Sequence, residues 1–504
     1  MFSLLALAAP GAFERPTVDW HALLPEIVLV AAIVVLIAVD VIKLTDGRRF
    51  MPALSGVGLL AAVLPLVTLA VDGNDRVMFG GAYVVDDTAL ILKALFLLGG
   101  YVVVLLSTNF VAEGDYWESE YYQMLLASIA GMVVMSSERD FVTIFVALEL
   151  LSLPAYLMAT WNKRDARSNE AGLKYYLMGV FASALMLYGM SLIFGFTGST
   201  VLSEIGTALA TDGKPRALVT VGIVFVLIGF GFKVSAVPFH TWAPDTYEGA
   251  PTPVTAFFAV LSKTAGFVAL IQLVFVAFIG RPDVVEPLMW TLAVLSMTVG
   301  NLIALRQTNI VRMLAYSGVA QAGFMLAPLA VIGDGNASNA LSAIVSYLLI
   351  YAAMNLGAFA VVIAAARRTN SAEVQSFSGL FSYAPGLTLA MTIALASLAG
   401  IPPMGGWYAK FVVFRALVAP DTTSGYVLAV IMAVNSVIAF YYYGQVLKAM
   451  WFSEAPTQDT SPIRIPPSLV AALVLTAVAT IAFGVAPGLV GHFTDLAPLA
   501  AAAP

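Results

Sequence analysis

Six charged residues interrupt otherwise apolar stretches of the sequence, and their chemistry is the most informative feature of the chain. They are Lys93, Glu149, Lys174, Lys233, Lys263 and Lys410. A lysine at the centre of a membrane helix costs about 2.5 to 3.5 kcal/mol on insertion scales, so a buried one predicts a function. Burial at low dielectric disfavours the charged form of lysine, whereas a nearby carboxylate favours it. A lysine that alternates between such surroundings would bind and release a proton.

Lys233 lies in the segment VLIGFGFKVSAVPFHTWAPDTYEGAP, which Pro238 interrupts. Proline removes a helix hydrogen bond and clashes with the preceding turn, and broken helices at membrane depth usually line a cavity or an ion site. The alternative is a plain proline kink with a lysine that extends towards the surface. Ser235 and His240 are auxiliary candidates in this segment, and His240 could relay protons near neutral pH or cap the turn.

A second break occurs in SLAGIPPMGGWYAKFVVF, where Pro402 and Pro403 precede Lys410. Two proline-broken spans at corresponding positions of two halves indicate a transporter built from repeats. Lys263 and Glu149 each lie about 12 residues from a polar loop, which at about 1.5 Å per residue places them about 18 Å deep. Both are therefore expected near the middle of the membrane.

The remaining intramembrane charges have a simpler alternative explanation. Lys174 lies only a few residues from a polar loop and could be an ordinary interface anchor. That interpretation is stronger for Lys93, and Glu26, near the start of the first span, is also expected at the membrane interface. The YYYG run that begins at Tyr441 is typical of an interfacial aromatic belt.

The composition excludes a soluble globular enzyme. Of 504 residues, 60% are hydrophobic and 11% are charged, whereas soluble domains carry about 25% charged residues. With no cysteine and three widely separated histidines, no metal site or iron–sulfur cluster is expected. No basic run suggests nucleic acid, and no GxxxxGK[ST] loop suggests a nucleotide. Any driving force must come from a partner or an ion gradient.

Hydrophobic windows between loop signals predict an all-α polytopic membrane protein with about 14 transmembrane helices. The spans are expected near 22–43, 51–71, 88–108, 121–137, 140–160, 171–196, 217–240, 251–279, 286–305, 310–332, 339–366, 386–418, 424–447 and 467–487. An even number of spans places both termini on one side of the membrane.

The distribution of basic residues predicts which side that is. Twelve fall in one set of loops or at the adjoining span ends: Lys43, Arg48, Arg49, Lys163, Arg164, Arg167, Arg306, Arg312, Arg367, Arg368, Lys448 and Arg464. Seven fall on the other side: Arg15, Arg76, Arg139, Lys214, Arg216, Arg281 and Arg415. Because cytoplasmic loops carry the excess of lysine and arginine, both termini are expected outside the cytoplasm.

The chain resembles the subunit N family, the antiporter-like membrane subunits of proton-pumping NADH:quinone oxidoreductase (respiratory complex I). The resemblance extends from LPEIVLV at 24–30 over nearly the whole chain, and is densest in KVSAVPFHTWAPDTYEGAPTPVTAFFAVLSK and SLAGIPPMGGWYAKF. The YEGAP loop is similar to that of subunit N rather than to those of the paralogues M and L. The resemblance implies an N-terminal three-helix segment (1–120), two inverted five-helix repeats (121–279 and 286–447) and a C-terminal helix with a tail (448–504).

The resemblance also implies roles for five residues. Glu149 and Lys233 match the family's ion pair on its fifth and seventh helices. Lys174 matches a lysine on the sixth helix and Lys263 the connecting lysine on the eighth. Lys410 matches the lysine on the broken twelfth helix, which is thought to face the exit. The resemblance implies no role for Lys93.

The implied function is proton translocation across the plasma (inner) membrane of a bacterium, driven by electron transfer from NADH to quinone in other subunits. FMN, iron–sulfur clusters, NADH and quinone are then expected in the partner subunits, and no cofactor in this chain. The expected neighbours are subunit M on one flank, subunits K and J on the other, the lateral helix of subunit L, and lipid. Two alternatives remain: a subunit of an Mrp-type cation/proton antiporter, and a structural membrane spacer whose lysines only pair across helices.

Overall fold

Long apolar helices make up most of the structure. The computed structural model describes residues 17–42, 50–114, 118–211, 217–333, 335–369, 371–455 and 461–496. Six basic residues used to predict the orientation lie outside the described residues: Arg15, Lys43, Arg48, Arg49, Lys214 and Arg216.

The first half of the chain contains eleven α-helices within the described ranges, together with one short β-hairpin. The helices are α1 (Leu24–Val41), α2 (Met51–Asp72), α3 (Asp87–Glu113), α4 (Glu118–Met135), α5 (Phe141–Ala159), α6 (Ala166–Thr197), α7 (Leu202–Thr211), α8 (Ala217–Lys233), α9 (Trp242–Gly249), α10 (Thr252–Phe257) and α11 (Lys263–Gln272). Two π-helical turns, Phe258–Ser262 and Leu273–Ala277, follow α10 and α11 and make one continuous helical run. The antiparallel strands β1 (Arg76–Met78) and β2 (Tyr83–Val85) flank the 3₁₀ turn Phe79–Gly81.

The second half adds nine α-helices within the described ranges. They are α12 (Pro282–Ala304), α13 (Ile310–Leu326), α14 (Ala337–Thr369), α15 (Leu380–Tyr383), α16 (Pro385–Ala399), α17 (Gly405–Val418), α18 (Thr423–Phe452), α19 (Pro467–Val485) and α20 (Gly488–Gly491). Short 3₁₀ turns at Ala327–Ala330 and Val374–Phe377 follow α13 and α14.

The predicted membrane architecture is confirmed. Eleven helical runs in the described part of the chain are long and apolar enough to cross a membrane, and α8 and α16 are shorter apolar helices. With α4, and with α16 and α17 counted as one broken span, each of the fourteen predicted spans contains a helix. The main differences lie at the two proline sites, where α8 ends at Lys233 and the predicted span 386–418 divides into two helices.

Burial divides the helices into an inner and an outer group. The run Thr252–Ala277 is buried along its whole apolar window, and α13 and α14 are nearly so. In contrast, α1, α6, α18 and α19 bury only about a third of theirs or less. A helix that is apolar all round is typical of a protein core, so the inner helices form the centre around which the outer ones pack.

Loops at the two ends of the bundle are tied together by backbone hydrogen bonds. At the end that carries the β1–β2 hairpin, called the hairpin end below, Val84 N donates to Ser137 O and Arg139 N donates to Ala82 O. At the opposite end, Ile310 N donates to Ala372 O. Glu26, near the start of α1, binds Tyr83 of β2, whereas Ser468, at the start of α19, binds Asn109 near the far end of α3. The start of α1 and the end of α19 therefore both lie at the hairpin end, in accord with an even number of spans.

Candidate functional site

The first helix break follows Lys233, where α8 ends and residues 234–241 lead to α9 without regular helix. Side chains bind the backbone groups that the break releases. Trp242 Nε1 donates to Phe232 O at 3.1 Å, and Val237 N donates to Ser296 Oγ at 2.9 Å. Unpaired backbone groups at membrane depth cost several kcal/mol, so this pairing makes the break tolerable.

The second break separates α16 from α17. Gly400 has a left-handed backbone with φ +90°, which favours glycine, and Gly406 N donates to Ser397 Oγ at 2.9 Å. Lys410 Nζ donates to Ala399 O at 2.8 Å. That carbonyl ends α16, where carbonyls lack helical partners and the helix dipole is negative, so the position favours a cation.

Lys233 contacts hydroxyl groups instead of a carboxylate. Its Nζ donates to Ser152 Oγ at 2.9 Å and to Tyr175 OH at 3.3 Å, and the residue is 4% exposed. Glu149 Oε1 accepts from Ser183 Oγ at 2.7 Å. Lys233 and Glu149, both described residues, form no direct ion pair, and Ser152, three residues after Glu149 on α5, receives the lysine's hydrogen bond.

Lys263 lies at the junction of the two halves of the chain. It is 2% exposed, and its Nζ donates to Gly318 O of α13 at 2.7 Å. The preceding residue, Ser262, has its Oγ 3.5 Å from Tyr175 OH. Tyr175 therefore contacts both the Lys233 side and the Lys263 side of the site.

Polar side chains continue from Lys263 to Lys410. One turn beyond Gly318, Gln321 accepts a hydrogen bond from Tyr347 OH, and its Nε2 donates to Leu398 O at 3.2 Å and to Tyr443 OH at 3.4 Å. Tyr443 OH is in turn hydrogen-bonded to Ser317 Oγ. Because Leu398 precedes the residue whose carbonyl holds Lys410, these contacts reach the second break.

These residues form a polar row through the core. Its members are Glu149, Ser152, Tyr175, Lys233, Ser262, Lys263, Ser317, Gln321, Tyr347, Tyr443 and Lys410. Lysine amines and carboxylates can hold a proton, and hydroxyl groups can both donate and accept one. Buried polar groups in such a row are commonly linked by internal water. The arrangement can therefore store protons at charged residues and pass them between hydroxyl groups.

Lys174 does not lie in the polar row. Its side chain is 43% exposed and forms ion pairs with Glu170 at 2.7 Å and Asp245 at 2.8 Å. Arg312 completes this group through contacts to Asp245 at 3.0 Å and Glu248 at 2.8 Å. All five side chains line a pocket of about 210 Å³ at the end opposite the hairpin. Burial raises the pKa of Asp245, but hydrogen bonds from Lys174 and Arg312 outweigh it and lower that pKa below its usual value.

The auxiliary candidates Ser235 and His240 lie in the first break, next to the polar row. Ser235 has a left-handed backbone with φ +60°, and its buried hydroxyl has no hydrogen-bond partner among the described residues. His240 is mostly buried, its Nδ1 also has no partner there, and its ring meets the ring of Tyr316 edge-on at 6.3 Å. Neither side chain hydrogen-bonds a lysine of the row.

Two expectations about surface position were wrong. Lys93 is fully buried and donates to Glu26 Oε1 at 2.7 Å and to Tyr83 OH at 2.9 Å. The expected interface anchor is instead an internal ion pair, because Glu26 and the β-hairpin supply partners inside the protein. In the YYYG run only Tyr441 is exposed, whereas Tyr443 is 1% exposed and belongs to the polar row.

Sequence reasoning missed the uncharged members of the row. Tyr175, Gln321 and Tyr347 are fully or almost fully buried, on helices whose remaining residues are mostly apolar. Such residues could be predicted from a polar side chain within an apolar helix, since a buried polar group must find a partner inside the protein.

The fold and the row of buried lysines define an antiporter-like membrane subunit. Residues 138–439 match the family described as NADH:quinone oxidoreductase/Mrp antiporter, TM. The chain is similar to NADH-quinone oxidoreductase subunit N of Trichlorobacter lovleyi, with 38% identity over 485 residues that cover 95% of this chain and 97% of the relative. It is also similar to NAD(P)H-quinone oxidoreductase subunit 2 of Prochlorococcus marinus, with 40% identity over 488 residues, 94% of this chain and 91% of the relative. The chain belongs to the subunit N family of NADH-quinone oxidoreductases.

Solved structures agree with this assignment. A chain of respiratory complex I from Thermus thermophilus has a TM-score of 0.76 and 32% identity, covering 93% of this chain and 98% of its own. A chain of the Mrp complex from Dietzia sp. has a TM-score of 0.83 at 20% identity, covering 95% and 97%. The second likeness concerns the fold alone. Together these findings place the chain in a hetero-oligomeric membrane complex.

Proposed function

We propose that this chain translocates protons across the bacterial plasma membrane, driven by electron transfer in partner subunits of the same NADH:quinone oxidoreductase. The observation that carries the proposal is the polar row, in which Lys233, Lys263 and Lys410 are buried and joined by hydroxyl and amide groups. Three buried lysines without a carboxylate in direct contact are costly to keep charged. Their presence in the core of a membrane subunit is accounted for by proton transfer.

Each lysine of the row would bind a proton from one neighbour and release it to the next. Lys233 lies beside hydroxyl groups. Glu149, about one turn before Ser152 on α5, would favour the charged form of Lys233 when its carboxylate turns towards the lysine. Moving one charge against about 150 mV requires about 3.5 kcal/mol. A lysine that moves between apolar surroundings and a position beside a carboxylate can change its free energy of proton binding by that amount.

Glu149 supports the expected position of partner subunits. It is half-buried on α5, and its neighbours Val146, Leu150 and Leu153 are exposed. A carboxylate that faced lipid at this depth would be strongly unfavourable, so a protein partner is expected to cover this face. We assign subunits K and J to this flank, and subunit M and the lateral helix of subunit L to the other. These partners would hold the FMN, iron–sulfur clusters, NADH and quinone sites.

The pocket around Lys174 is the proposed uptake site for protons. It opens at the end opposite the hairpin, and three acidic and three basic side chains line it. The excess of basic residues in that set of loops supports a cytoplasmic position for this pocket. The hairpin end, with both termini, then faces outward. In this proposal residues 121–279 and 286–447 act as two inverted repeats, flanked by 1–120 and 448–504, with Lys410 near the exit.

The test is the replacement of Lys233 in the assembled complex. Lys233→Ala is expected to abolish NADH-driven acidification of inverted vesicles and to impair quinone reduction, with assembly checked by mass spectrometry. Lys233→Arg is expected to fail as well, because arginine keeps the charge but does not release its proton. The exposed Lys448→Ala is the control and is expected to behave as wild type.

Each alternative predicts a different result. A structural spacer would tolerate Lys233→Arg, since the charge and its contacts would be retained. An Mrp-type cation antiporter would show transport that depends on sodium. Wild-type pumping by assembled Lys233→Ala complex would refute the proposal.

A further inference from the structure

A second group of buried charges lies at the hairpin end, separate from the polar row. It surrounds Glu138, which joins α4 to α5. Glu26, Lys93 and Asp140 act on its charge, and Tyr83 lies close enough to feel that charge. Arg139 follows it in the chain and is paired with Asp86. We call these seven residues the Glu138 cluster. No residue of the cluster has a role in the proposed translocation path.

Both cations of the cluster are already engaged. Lys93 Nζ lies 2.7 Å from Glu26 Oε1, and Tyr83 OH also donates to that oxygen at 2.8 Å. Arg139 lies 2.9 Å from Asp86 Oδ2, and its side chain is 5% exposed. Two carboxylates of the cluster therefore have a cationic partner, whereas Glu138 and Asp140 have none in direct contact.

Asp140 is stabilised as an anion by other means. It caps the start of α5 and accepts hydrogen bonds from Val142 N at 2.8 Å and Thr143 N at 3.2 Å. Thr200 Oγ1 donates to its other oxygen. Backbone donors and the positive end of the helix dipole favour a negative charge at this position. Glu138 is thus the one carboxylate of the cluster with neither a cation in direct contact nor a helix N-terminus to hold its charge, and the Thr143 hydroxyl is the nearest group that favours its anion.

We propose that Glu138 binds and releases protons at the hairpin end, and that it is a second group, besides Lys410 near the exit, through which this chain exchanges protons with the outward compartment. Glu138 is 7% exposed, and burying a carboxylate that has no cation in direct contact, beside a second negative charge, favours its protonated form. The inference rests on the proposed function, which it extends by naming an outward proton site.

The titration behaviour of Glu138 supports this assignment. Its pKa is raised to about 7, mainly by burial, with further repulsion from Asp140 and Glu26. Thr143 and Lys93 act in the opposite direction. A carboxyl group with this pKa changes its protonation state near neutral pH, as a proton-exchange group must.

Buried polar atoms without a partner connect the cluster to the helix that carries Lys263. Within the described residues, Glu26 Oε2, Ser137 Oγ and Gln272 Oε1 have no hydrogen-bond partner, and each residue is at least nine-tenths buried. Gln272 ends α11 and donates to Met135 O at 2.7 Å and Ser136 O at 3.0 Å, just before Ser137. Such atoms are typical binding positions for internal water, which can carry a proton.

The experiment uses the whole complex in inverted vesicles, whose lumen corresponds to the outward side. NADH-driven pumping is measured at a fixed external pH with the lumen set initially to about pH 8 or about pH 6. For a group with a midpoint near 7, the deprotonated fraction falls about tenfold between these values. Wild type and the exposed hairpin-end variant Glu204→Gln are therefore expected to slow by up to about tenfold in the acidic lumen.

Glu138→Gln is expected to reduce this dependence on lumen pH, because glutamine does not titrate. Back-pressure from the gradient acts on all variants alike, so the ratio of the two rates isolates Glu138. Glu138→Asp, which keeps a carboxylate, is expected to retain the dependence with a shifted midpoint, and that shift is the readout if Glu138→Gln does not assemble.

The outcomes separate this inference from the proposed function. A Glu138→Gln complex with the wild-type ratio of rates, or a Glu138→Asp complex with an unshifted midpoint, would overturn the inference alone if Lys233→Ala has lost pumping in the same vesicles. Normal pumping by Lys233→Ala would instead refute the proposed function.

Discussion

Replacing Tyr175 with phenylalanine removes one hydroxyl group from the polar row and leaves its packing intact. The ring of Tyr175 stacks on Trp242 at 4.5 Å and meets Tyr156 edge-on at 4.7 Å. Phenylalanine preserves both contacts. What is lost is the acceptor for Lys233 at 3.3 Å and the contact to Ser262 at 3.5 Å.

The magnitude follows from the geometry of that contact. Hydrogen bonds to charged groups contribute about 1.5 to 3 kcal/mol, and the length of this one places it near 1.5 kcal/mol. The protonated form of Lys233 then loses about that much stabilisation, which lowers the ratio of protonated to neutral Lys233 about tenfold. If every turnover passes through protonated Lys233, proton translocation is expected to slow by up to about tenfold.

The assay compares acidification rates in vesicles with equal amounts of assembled complex. Tyr121→Phe is the matched control, because Tyr121 is also buried, hydrogen-bonds Ser107 at 2.9 Å and meets Trp161 edge-on. It lies outside the polar row and is expected to pump at wild-type rates. Equal rates for Tyr175→Phe and wild type would refute the role of this hydroxyl group in the row.

Three further substitutions test the packing and the charges. Gly484→Ala is expected to cost about 3 kcal/mol or more and to deplete assembled complex, because its Cβ would clash with the Pro403 carbonyl oxygen at the second break, whereas Gly444→Ala meets nothing within 4 Å. Lys93→Met leaves Glu26 buried without its cationic partner, so the free energy of unfolding should fall by about 3 to 5 kcal/mol. Adding Glu26→Leu should restore part of that loss. Asp245→Asn loses half-exposed ion pairs worth at most about 1 kcal/mol each, and its effect on the melting temperature should shrink at high salt.

The membrane fold was predictable because its signal is strong and local. Every span is an apolar stretch bounded by polar or proline-rich residues, and bilayer thickness fixes the length that such a stretch must have. The two helix breaks were predictable for the same reason, since proline and glycine act on their own backbone. The position at which α8 ends depends on Trp242 and Ser296, which bind the released backbone groups from elsewhere in the chain.

The contacts within the site depend on tertiary packing and could not be predicted from spacing. Lys174 and Tyr175 are adjacent in sequence, yet the lysine extends to Asp245 at the surface while the tyrosine reaches Lys233. Adjacent helical residues point about 100° apart, and only packing decides which one faces the core. The pairing of Lys93 with Glu26 likewise joins residues 67 positions apart.

The most direct test of the central claim is a proton count. Lys263 joins the two halves of the polar row, and Lys263→Met replaces it with an apolar side chain of similar size. Protons translocated per NADH oxidised should be measured in liposomes that contain the purified complex, with Lys448→Met as the control. A polar row that carries protons predicts a lower ratio for Lys263→Met and an unchanged ratio for the control. An unchanged ratio for Lys263→Met, at a normal rate of quinone reduction, would contradict proton transfer through this chain.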